Sequence, residues 1–375
     1  MDVRDFDFDL PPELIAQEPS TGRSAARLLH LNRETGSLTH THVAALPDLL
    51  HAGDLVVVNN TRVFPARLLG RRVPGGGAVE CLLLRPVPWT VPGTVPGTGA
   101  RDRCQVPVPG TGARHQAEVW EALVHPGQKL KPGAQVVFEG IHPLHAEILE
   151  RRFFGRRLLQ LWTDDGSSVD AAVDAIGHVP LPPYIKRDDR GEDRDRYQTI
   201  FAERRGSIAA PTAGLHFSAP LVAALGAGGV EMAAITLHVG YGTFQPVRTE
   251  RVEDHRLEAE RYEIDAAAAS AIARARHDRR RIIAVGTTTT RTLEASARAH
   301  GGNIEAGSGA TDLFIYPGFD FRVVGGLLTN FHVPRSSLFM LVSAFAGREH
   351  ARIAYQAAVA ARYRFYSYGD AMLIL

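Results

Sequence analysis

The chain has 375 residues and a formal net charge of +1, so it is too long for one average domain and lacks the strong positive charge of many nucleic-acid-binding proteins. Its 45% hydrophobic and 22% charged residues suit a globular fold, and the absence of a basic leader or an apolar run of about eighteen residues argues against secretion and membrane insertion. Two cysteines, Cys81 and Cys104, are too few for a disulfide framework or a zinc site, so we expect a cytoplasmic protein.

The basic residues are nearly all arginines. Of the 42 lysines and arginines, only Lys129, Lys131 and Lys186 are lysines. Arginine suits bidentate contacts with phosphate and stacking on bases, although a compositional bias towards Arg, Ala and Gly is the simpler explanation. Among the local basic clusters, Lys186 with Arg187 is a candidate for phosphate contacts.

The first third of the chain predicts two kinds of structure. The stretch "GDLVVVNNTRVFPARLLG" (53–70) predicts a buried strand that ends in polar residues, followed by a second extended segment. From about residue 71, short apolar strands alternate with Pro-Gly turns without a helical period, which predicts a small all-β unit, barrel-like in form. Within it, residues 87–116 repeat a Pro-Gly-Thr-rich pattern with nothing to bury, so we predict an exposed, flexible loop.

From about residue 165 the pattern becomes an alternation of strands and helices. After a helix that ends at Gly177, near-continuous apolar strands are predicted within 229–240, 280–290 and 325–333. Helices are predicted at Asp265 to Arg280, Arg291 to His300, Ser336 to Ala346 and Arg348 to Ala361. This alternation predicts an α/β fold with a parallel or mixed sheet. Because 53–70 also has a core-strand pattern, we predict a discontinuous α/β domain (1–70 and 165–375) and an inserted β-barrel-like domain (71–164).

The stretch "LHVGYGTF" (237–244) resembles the start of a nucleotide-binding loop. Gly240 and Gly242 follow an apolar strand, and such glycines let a backbone approach a ligand closely. However, Gln245 stands where the dinucleotide fingerprint has its third glycine, and His238 stands where a methyltransferase usually has an acid. Thr243 follows the second glycine and completes this candidate binding loop.

Other polar segments also end apolar strands or form turns, where ligands bind in open α/β sheets. The candidate residues for substrate binding are Asn59, Asn60, Thr61 and Arg62 in "NNTR"; Pro211, Thr212 and Gly214 in "APTAGLHF"; Gly286, Thr287, Thr288 and Arg291 in "VGTTTTRTLE"; and Asn330 in "TNFHVPRSS". A helix that begins with threonines offers free N–H groups and hydroxyls to a carboxylate, phosphate or ribose.

Each segment also has a purely structural interpretation. Thr287 alone is more often a helix cap, and Asn59 and Asn60 often satisfy backbone groups at a turn. The histidines His216, His238 and His332 are harder to dismiss together, since each stands at a strand end or in a turn. No metal-ligand spacing joins these histidines, and no nucleophile elbow or Walker loop is found, so we expect no metal.

A set of longer motifs resembles one known family. "NNTRVFPARL", "IGHVPLPPYI", "YQTIFA", "APTAGLHF", "LHVGYGTFQPV", "AVGTTTTRTLE", "LFIYPGF", "LLTNFHVPRSSLFMLVSAFAG" and "YRFYSYGDAMLI" closely resemble the S-adenosylmethionine:tRNA ribosyltransferase-isomerases of queuosine biosynthesis, in order, over nearly the whole chain. The chain departs from the family pattern at residues 87–116, at the threonines before Arg291, and at Ala26.

The resemblance implies a specific reaction. The ribosyl part of S-adenosylmethionine would be transferred to the aminomethyl group of a deazaguanine (preQ1) at the wobble position of tRNA and isomerised, giving epoxyqueuosine, adenine and methionine. S-adenosylmethionine would then be a consumed substrate, with no cofactor. The resemblance also implies an α/β domain with a smaller β-barrel. We further expect substrate contacts from Tyr368 and Asp370 in "YSYGD", tRNA contacts from Lys186 and Arg187, and a monomer.

Such a reaction needs proton transfers, since a proton leaves the ribose 5′ carbon and adenine must depart. Histidine is suited to these steps near neutral pH. We therefore predict catalytic roles for His238, His216 and His332, without assigning a step to each. Two other functions remain open from the residues alone. The glycine loop fits a methyltransferase, and the arginines and the barrel fit a non-catalytic RNA-binding module.

Overall fold

A computed structural model describes residues 1–88, 104–107, 114–244 and 246–375. These residues divide into two compact units, one of Met1–Val63 with Pro182–Leu375 and one of Phe64–Leu181. The inserted unit is longer at both ends than the predicted range of 71–164. Within the described residues, no helix is long and apolar enough to cross a membrane.

The larger unit begins with four strands and one helical turn. They are β1 (Arg27–Leu31), β2 (Leu38–His42), α1 (Leu46–Leu49), β3 (Leu55–Asn59) and β4 (Thr61–Val63). The chain then enters the inserted unit, which consists of β5 (Arg67–Val73), β6 (Ala78–Pro86), β7 (Cys104–Pro107), β8 (Arg114–His125), β9 (Gln135–Phe138), β10 (Leu144–Arg151), β11 (Arg156–Thr163) and α2 (Val169–Ile176).

The larger unit resumes with an α/β pattern. Its elements are α3 (Asp193–Arg196), β12 (Arg204–Ser207), α4 (Ala219–Ala227), β13 (Glu231–Leu237), β14 (Glu260–Ile264), α5 (Ala266–His277), β15 (Ile282–Val285), α6 (Thr287–Ala299), β16 (Gly307–Thr311), β17 (Gly326–Asn330), α7 (Ser337–Ala346), α8 (Arg348–Ala360) and β18 (Ala371–Ile374).

Nine of the described strands of the larger unit form a mixed sheet in the order β16-β14-β13-β3-β15-β17-β18-β1-β2, and β4 pairs with β12 in a separate two-stranded sheet. The central strands β13, β3, β15 and β17 are all parallel to their neighbours in this group. β18 runs antiparallel to β17 and parallel to β1. The predicted α/β domain with a parallel or mixed sheet is confirmed.

The side chains of β3 explain why the central strands are apolar throughout. Leu55 and Val57 belong to a core that includes residues of α5 to α8. Val56 and Val58 point to the other face, where they join a core with residues of α1 and α4. Because alternate side chains of a strand point to opposite faces, a sheet covered on both sides needs apolar residues at every position.

Helix α6 begins at Thr287, in the run of threonines predicted to open it, and four residues before the predicted range of Arg291 to His300. Threonine is a poor helix former, so the helical pattern became clear only after this run. Here the hydroxyls of Thr289, Thr290 and Thr292 donate to the carbonyls four residues before them. Gly286, with a φ of +90°, makes the sharp turn from β15 into the helix.

The inserted unit contains the predicted barrel. Six of its described strands close in the order β5-β6-β8-β11-β10-β9, and every pair is antiparallel. Helix α2 contacts β10 and β11, which places it with the barrel although its pattern predicted a part of the α/β domain.

The predicted loop at 87–116 lies largely outside the described residues. Within that range, β7 pairs with the start of β8, so these residues are strands where a loop was predicted. Backbone pairing at the edge of the sheet does not require buried side chains, and Pro107 is tolerated on an edge strand.

The topology brings the predicted site segments to one end of the central strands of the large sheet, which is called the carboxyl edge below. The carboxyl ends of β13, β3, β15 and β17 lie at this edge because these strands are parallel. The antiparallel strand β18 begins there, with Ala371 opposite Asn330. His238, Asn59, Gly286, Asn330 and Asp370 therefore all lie at or next to this edge.

Candidate active site

His238 follows β13 and is held by a pair of hydroxyl groups. Its Nδ1 lies 2.9 Å from the Thr61 Oγ1, which lies 2.7 Å from the Ser207 Oγ. The Ser207 Oγ in turn accepts a hydrogen bond of 2.8 Å from the backbone N–H of Val239. Burial, with a further contribution from Arg261, lowers the pKa of the half-buried His238 imidazole below its usual value. The ring is thus oriented and neutral near pH 7.

Gly206 makes room for this imidazole. A Cβ atom at position 206 would lie 2.7 Å from ring atoms of His238, closer than two carbon atoms approach without a clash. The ring therefore packs directly on the backbone of β12. Gly206 and Ser207 come from a segment that the sequence analysis did not single out, since nothing in "RRGS" indicates a contact with residue 238.

Asn59 and Asn60 hold the end of β13 in place. The Asn59 Oδ1 accepts from the N–H groups of Thr61 and Leu237, and its Nδ2 donates to the Leu237 carbonyl. The Asn60 Oδ1 accepts a hydrogen bond of 2.6 Å from Thr236. These contacts fit the structural interpretation of the two asparagines. Arg62 on β4 is exposed.

The glycine loop lines a cavity and contacts an acidic residue, Glu260. Gly240 and Gly242 form one wall, opposite Glu258, Glu260, Arg291 and apolar residues of α7. The Gly240 N–H donates to the Glu260 Oε1 over 2.8 Å, and the other carboxylate oxygen lies 2.5 Å from the Arg291 Nη1. Glu260 on β14 therefore joins the glycine loop to Arg291. Thr243 follows in the short helical turn Tyr241–Phe244, and Gln245 lies outside the described residues.

His216 lines a second cavity, with Arg23, Arg196, Ser367 and Tyr368. The Asn330 Nδ2 donates to the His216 Nε2 and to the Tyr366 carbonyl, both over 3.1 Å. Because the Tyr366 carbonyl only accepts, it fixes the orientation of the amide, so His216 accepts at Nε2 and carries its proton on Nδ1. The Asn330 Oδ1 is buried without a hydrogen-bond partner among the described residues. Burial lowers the pKa of His216 to about 4.

Two arginine side chains, Arg23 and Arg196, line the same cavity. Arg23 donates to the carbonyls of Leu215 and Asp195, and Arg196 donates to the Ser20 carbonyl. Within the described residues, the hydrogen bonds of these two side chains go to backbone carbonyls and not to carboxylates. Burial and the nearby charge of Arg196 lower the pKa of Arg23, although the negative charge of Asp195 opposes this effect. Two arginines whose charges are not neutralised can bind an anionic group of a ligand.

His332 has a different environment from the other two histidines. Its Nε2 lies 2.9 Å from the Thr329 Oγ1 on the preceding strand, and its backbone N–H donates to the Tyr355 hydroxyl. Burial lowers its pKa to about 3. Among the described residues, His332 lines neither the glycine-loop cavity nor the His216 cavity. In the described part of the chain His238 lines neither cavity either, so the feature that distinguishes His332 is the contact of its ring with Thr329 in its own turn.

The first turn of α6 lies beside the segment that carries His216. A Cβ atom at Gly286 would lie 3.6 Å from Ala213, in the short helix Thr212–His216 that follows the buried Pro211. Gly214 packs against Thr199, which leaves no room for a side chain there. Thr287 and Thr288 are both buried, and the Thr288 Oγ1 has no hydrogen-bond partner among the described residues.

The remaining predicted residues are engaged in ion pairs and hydrogen bonds. The Tyr368 hydroxyl donates to Asp193 over 2.9 Å, and Arg187 donates twice to the same carboxylate. Asp370 accepts from the Arg27 side chain and from the Arg364 backbone. Asp193 thus neutralises Arg187, a predicted tRNA contact, whereas its neighbour Lys186 is exposed. Within the described residues, no three His, Cys, Asp or Glu side chains lie close enough together to hold a metal ion.

The comparisons with known proteins agree over the whole chain. The family described as "Queuosine biosynthesis protein" matches residues 3–374. Proteins named S-adenosylmethionine:tRNA ribosyltransferase-isomerase from Heliobacterium modesticaldum and Anaeromyxobacter sp. are 46% and 48% identical to it, over 100% of this chain and 100% and 99% of theirs. This chain belongs to the S-adenosylmethionine:tRNA ribosyltransferase-isomerase family of queuosine biosynthesis. It is therefore a transferase with isomerase activity that acts in tRNA modification.

A solved structure supports the same assignment. The crystal structure of an S-adenosylmethionine tRNA ribosyltransferase from Thermotoga maritima is 34% identical in sequence and covers 99% of this chain and 100% of its own, with a TM-score of 0.52. Membership of the ribosyltransferase-isomerase family excludes a non-catalytic RNA-binding module.

Proposed function

We propose that this enzyme transfers the ribosyl part of S-adenosylmethionine to the aminomethyl group of preQ1 at the wobble position of tRNA. The ribosyl group is isomerised in the process, so that epoxyqueuosine is formed and adenine and methionine are released. The match of the whole chain to the ribosyltransferase-isomerase family carries this proposal. The neutral, oriented histidines at the carboxyl edge of the sheet support it.

We assign the removal of the ribose 5′ proton to His238. The carbon is acidified by the adjacent sulfonium, and a neutral imidazole is the form that accepts a proton. A base at Nε2 requires the tautomer in which Nδ1–H donates to the Thr61 Oγ1, 2.9 Å away. In that tautomer the Thr61 hydroxyl donates to the Ser207 Oγ or to the Arg204 carbonyl. Within the described residues, this Nε2 makes no hydrogen bond, so it is available to substrate.

His216 is suited to a different step. Because Asn330 donates to its Nε2, its Nδ1–H is a hydrogen-bond donor beside a cavity that also holds two arginines. Such a donor can stabilise negative charge on the departing adenine. The cation pair of Arg23 and Arg196 can bind the methionine carboxylate of S-adenosylmethionine.

Product analysis tests the proposed function. The enzyme is incubated with S-adenosylmethionine and tRNA that carries preQ1, and the small molecules are separated by chromatography. Equal amounts of adenine and methionine are expected, and tRNA that carries guanine at the wobble position serves as the control. Release of S-adenosylhomocysteine would instead show a methyltransferase and overturn the proposal.

A further inference from the structure

The hairpin between β10 and β11 exposes two aromatic side chains. In the stretch "RRFFGRR" (151–157), Phe153 and Phe154 are each 88% exposed. A large apolar ring gains free energy by leaving water, so a protein rarely exposes two neighbouring rings that have no ligand to cover them. The turn therefore indicates a binding surface.

The backbone conformation of this turn disfavours the phenylalanine at position 154. Phe154 has a φ of +56° and a ψ of +37°, and Gly155 follows with a φ of +79°. Asn followed by Gly is the favoured pair for a hairpin turn with positive φ at both positions, whereas a bulky residue seldom adopts this conformation. A phenylalanine at position 154 opposes the local preference, and such outliers are frequent at functional positions.

The same end of the barrel is strongly basic. The strand registers place the turns at 74–77, 126–134 and 152–155 at one end, since Val73 pairs with Gln135, Arg156 with Leu123 and Arg151 with Arg157. Segments 71–79, 125–135 and 149–157 together contain eight lysines and arginines and one acidic residue, Glu150. The described opposite end has acidic residues instead, where Asp164 and Asp165 pair with histidines.

Contacts between the turns organise this basic end. Arg157 is buried and donates to the carbonyls of Gly127 and Leu130, which ties the hairpin to the turn at 126–134. Arg151 donates to the Gln128 carbonyl of the same turn. The exposed Lys129 and Lys131, two of the three lysines in the chain, therefore lie on the turn next to the exposed rings.

We propose that this end of the barrel, defined by Lys129, Lys131, Arg151, Phe153 and Phe154, binds the tRNA substrate. The phenylalanines stack on unpaired bases, and the cations contact backbone phosphates. RNA combines a negative backbone with exposed aromatic faces, which matches the charge and the rings of this surface. The inference rests on the proposed function only in taking tRNA as the ligand.

The first test replaces the rings without disturbing the turn. The double variant Phe153→Ser, Phe154→Asn creates an Asn-Gly turn, so the hairpin is expected to fold at least as well as before. Binding of fluorescently labelled preQ1-tRNA should weaken by about tenfold or more, since each stacked base contributes substantially to affinity. Affinity for S-adenosylmethionine should not change. The matched control is Ile141→Ser, which removes another side chain that is 84% exposed, from the turn at the opposite end of the barrel.

The second test reverses charges. In the variant Lys129→Glu, Lys131→Glu, tRNA binding should weaken, and the slope of log affinity against log salt should fall by about two, roughly one for each phosphate that is no longer bound. The matched control is Arg348→Glu, Arg352→Glu on α8, which reverses two exposed cations in the larger unit. This control should keep the salt slope of the wild type.

The outcomes separate this inference from the proposed function. Unchanged tRNA affinity in both test variants overturns the inference. The inference is also overturned if the Phe153→Ser, Phe154→Asn variant binds tRNA normally but sediments differently from wild type. That result would show that the two rings form an interface between copies of this chain. If the wild-type enzyme releases adenine and methionine and the variants also turn over normally at low tRNA concentration, the inference is wrong and the proposed function stands. Weakened tRNA binding supports the inference even if product analysis contradicts the proposed reaction.

Discussion

At the scale of single residues, the three predicted histidines differ in what surrounds each ring. The His238 ring contacts Thr61 and the His216 ring contacts Asn330, whereas the His332 ring contacts Thr329, three residues before it in the chain. All three were found in the sequence because they follow strand or turn signals. The partners of His238 and His216 were not predictable, since they lie 177 and 114 residues away in the chain.

Replacing the histidines separates catalysis from structure. His238→Gln and His216→Gln should stay folded and bind S-adenosylmethionine, while the single-turnover rate falls by about two to four powers of ten. His332→Gln should instead lower the free energy of unfolding by about 1–3 kcal/mol with near-normal turnover of the folded enzyme, because a buried hydrogen bond is removed. Rates within a few-fold of wild type for His238→Gln and His216→Gln would show that neither transfers a proton.

A second prediction at this scale concerns Arg23 and Arg196, which make no ion pair among the described residues. Arg196→Ala should raise the KM for S-adenosylmethionine by about tenfold or more, because the variant cannot donate a charge-assisted hydrogen bond to the carboxylate. Arg190→Ala removes a neighbouring, exposed arginine and serves as the control. If only the KM for tRNA rises, the cation pair binds a phosphate, and the assignment to the carboxylate is wrong.

At the scale of elements, the packing of β12 against the end of β13 positions the base. Gly206→Ala should displace the His238 ring, since the new methyl group would lie 2.7 Å from it, and turnover should fall while S-adenosylmethionine binding is retained. Gly226→Ala on α4 is the matched control, because a Cβ atom there meets no atom within 4 Å. Equal turnover of Gly206→Ala and wild type would show that the contact does not orient the ring.

The element scale also shows where sequence patterns stop being informative. Apolar runs predicted the central strands because a sheet covered on both faces leaves a strong signal. The threonines were predicted to open α6, but the range predicted for this helix began four residues too late because threonine has a low helix propensity. Ser207 and Glu260 were missed for another reason. Ser207 accepts a hydrogen bond from Val239, 32 residues away in sequence, and Glu260 accepts one from Gly240, 20 residues away. Only the folded sheet brings these residues together.

At the scale of the whole molecule, the buried histidines couple stability to pH. Histidine in the unfolded chain has a pKa of about 6.5, and folding lowers this value to about 4 for His216 and about 3 for His332. The unfolded state therefore binds more protons on acidification, so stability falls progressively from about pH 6.5 to pH 3. For His216 alone the loss is on the order of 3 kcal/mol, since one pKa unit corresponds to about 1.4 kcal/mol.

Urea unfolding at pH 7, 6, 5 and 4 measures this effect. Wild type should lose stability steadily, and His216→Gln should lose less over the same range, whatever its stability at pH 7. Parallel curves for the two proteins would show that His216 is not kept neutral by the fold.

The central claim is that the ribosyl group, and not the methyl group, of S-adenosylmethionine reaches the tRNA. Two preparations of S-adenosylmethionine, one with ¹³C in the ribose and one with ¹³C in the methyl group, are each reacted with preQ1-tRNA. The tRNA is then digested, and the modified nucleoside is analysed by mass spectrometry. We predict that the ribose label appears in the modified nucleoside and that the methyl label is recovered in free methionine. Methyl label in the nucleoside, with the ribose label left in S-adenosylhomocysteine, would contradict the account.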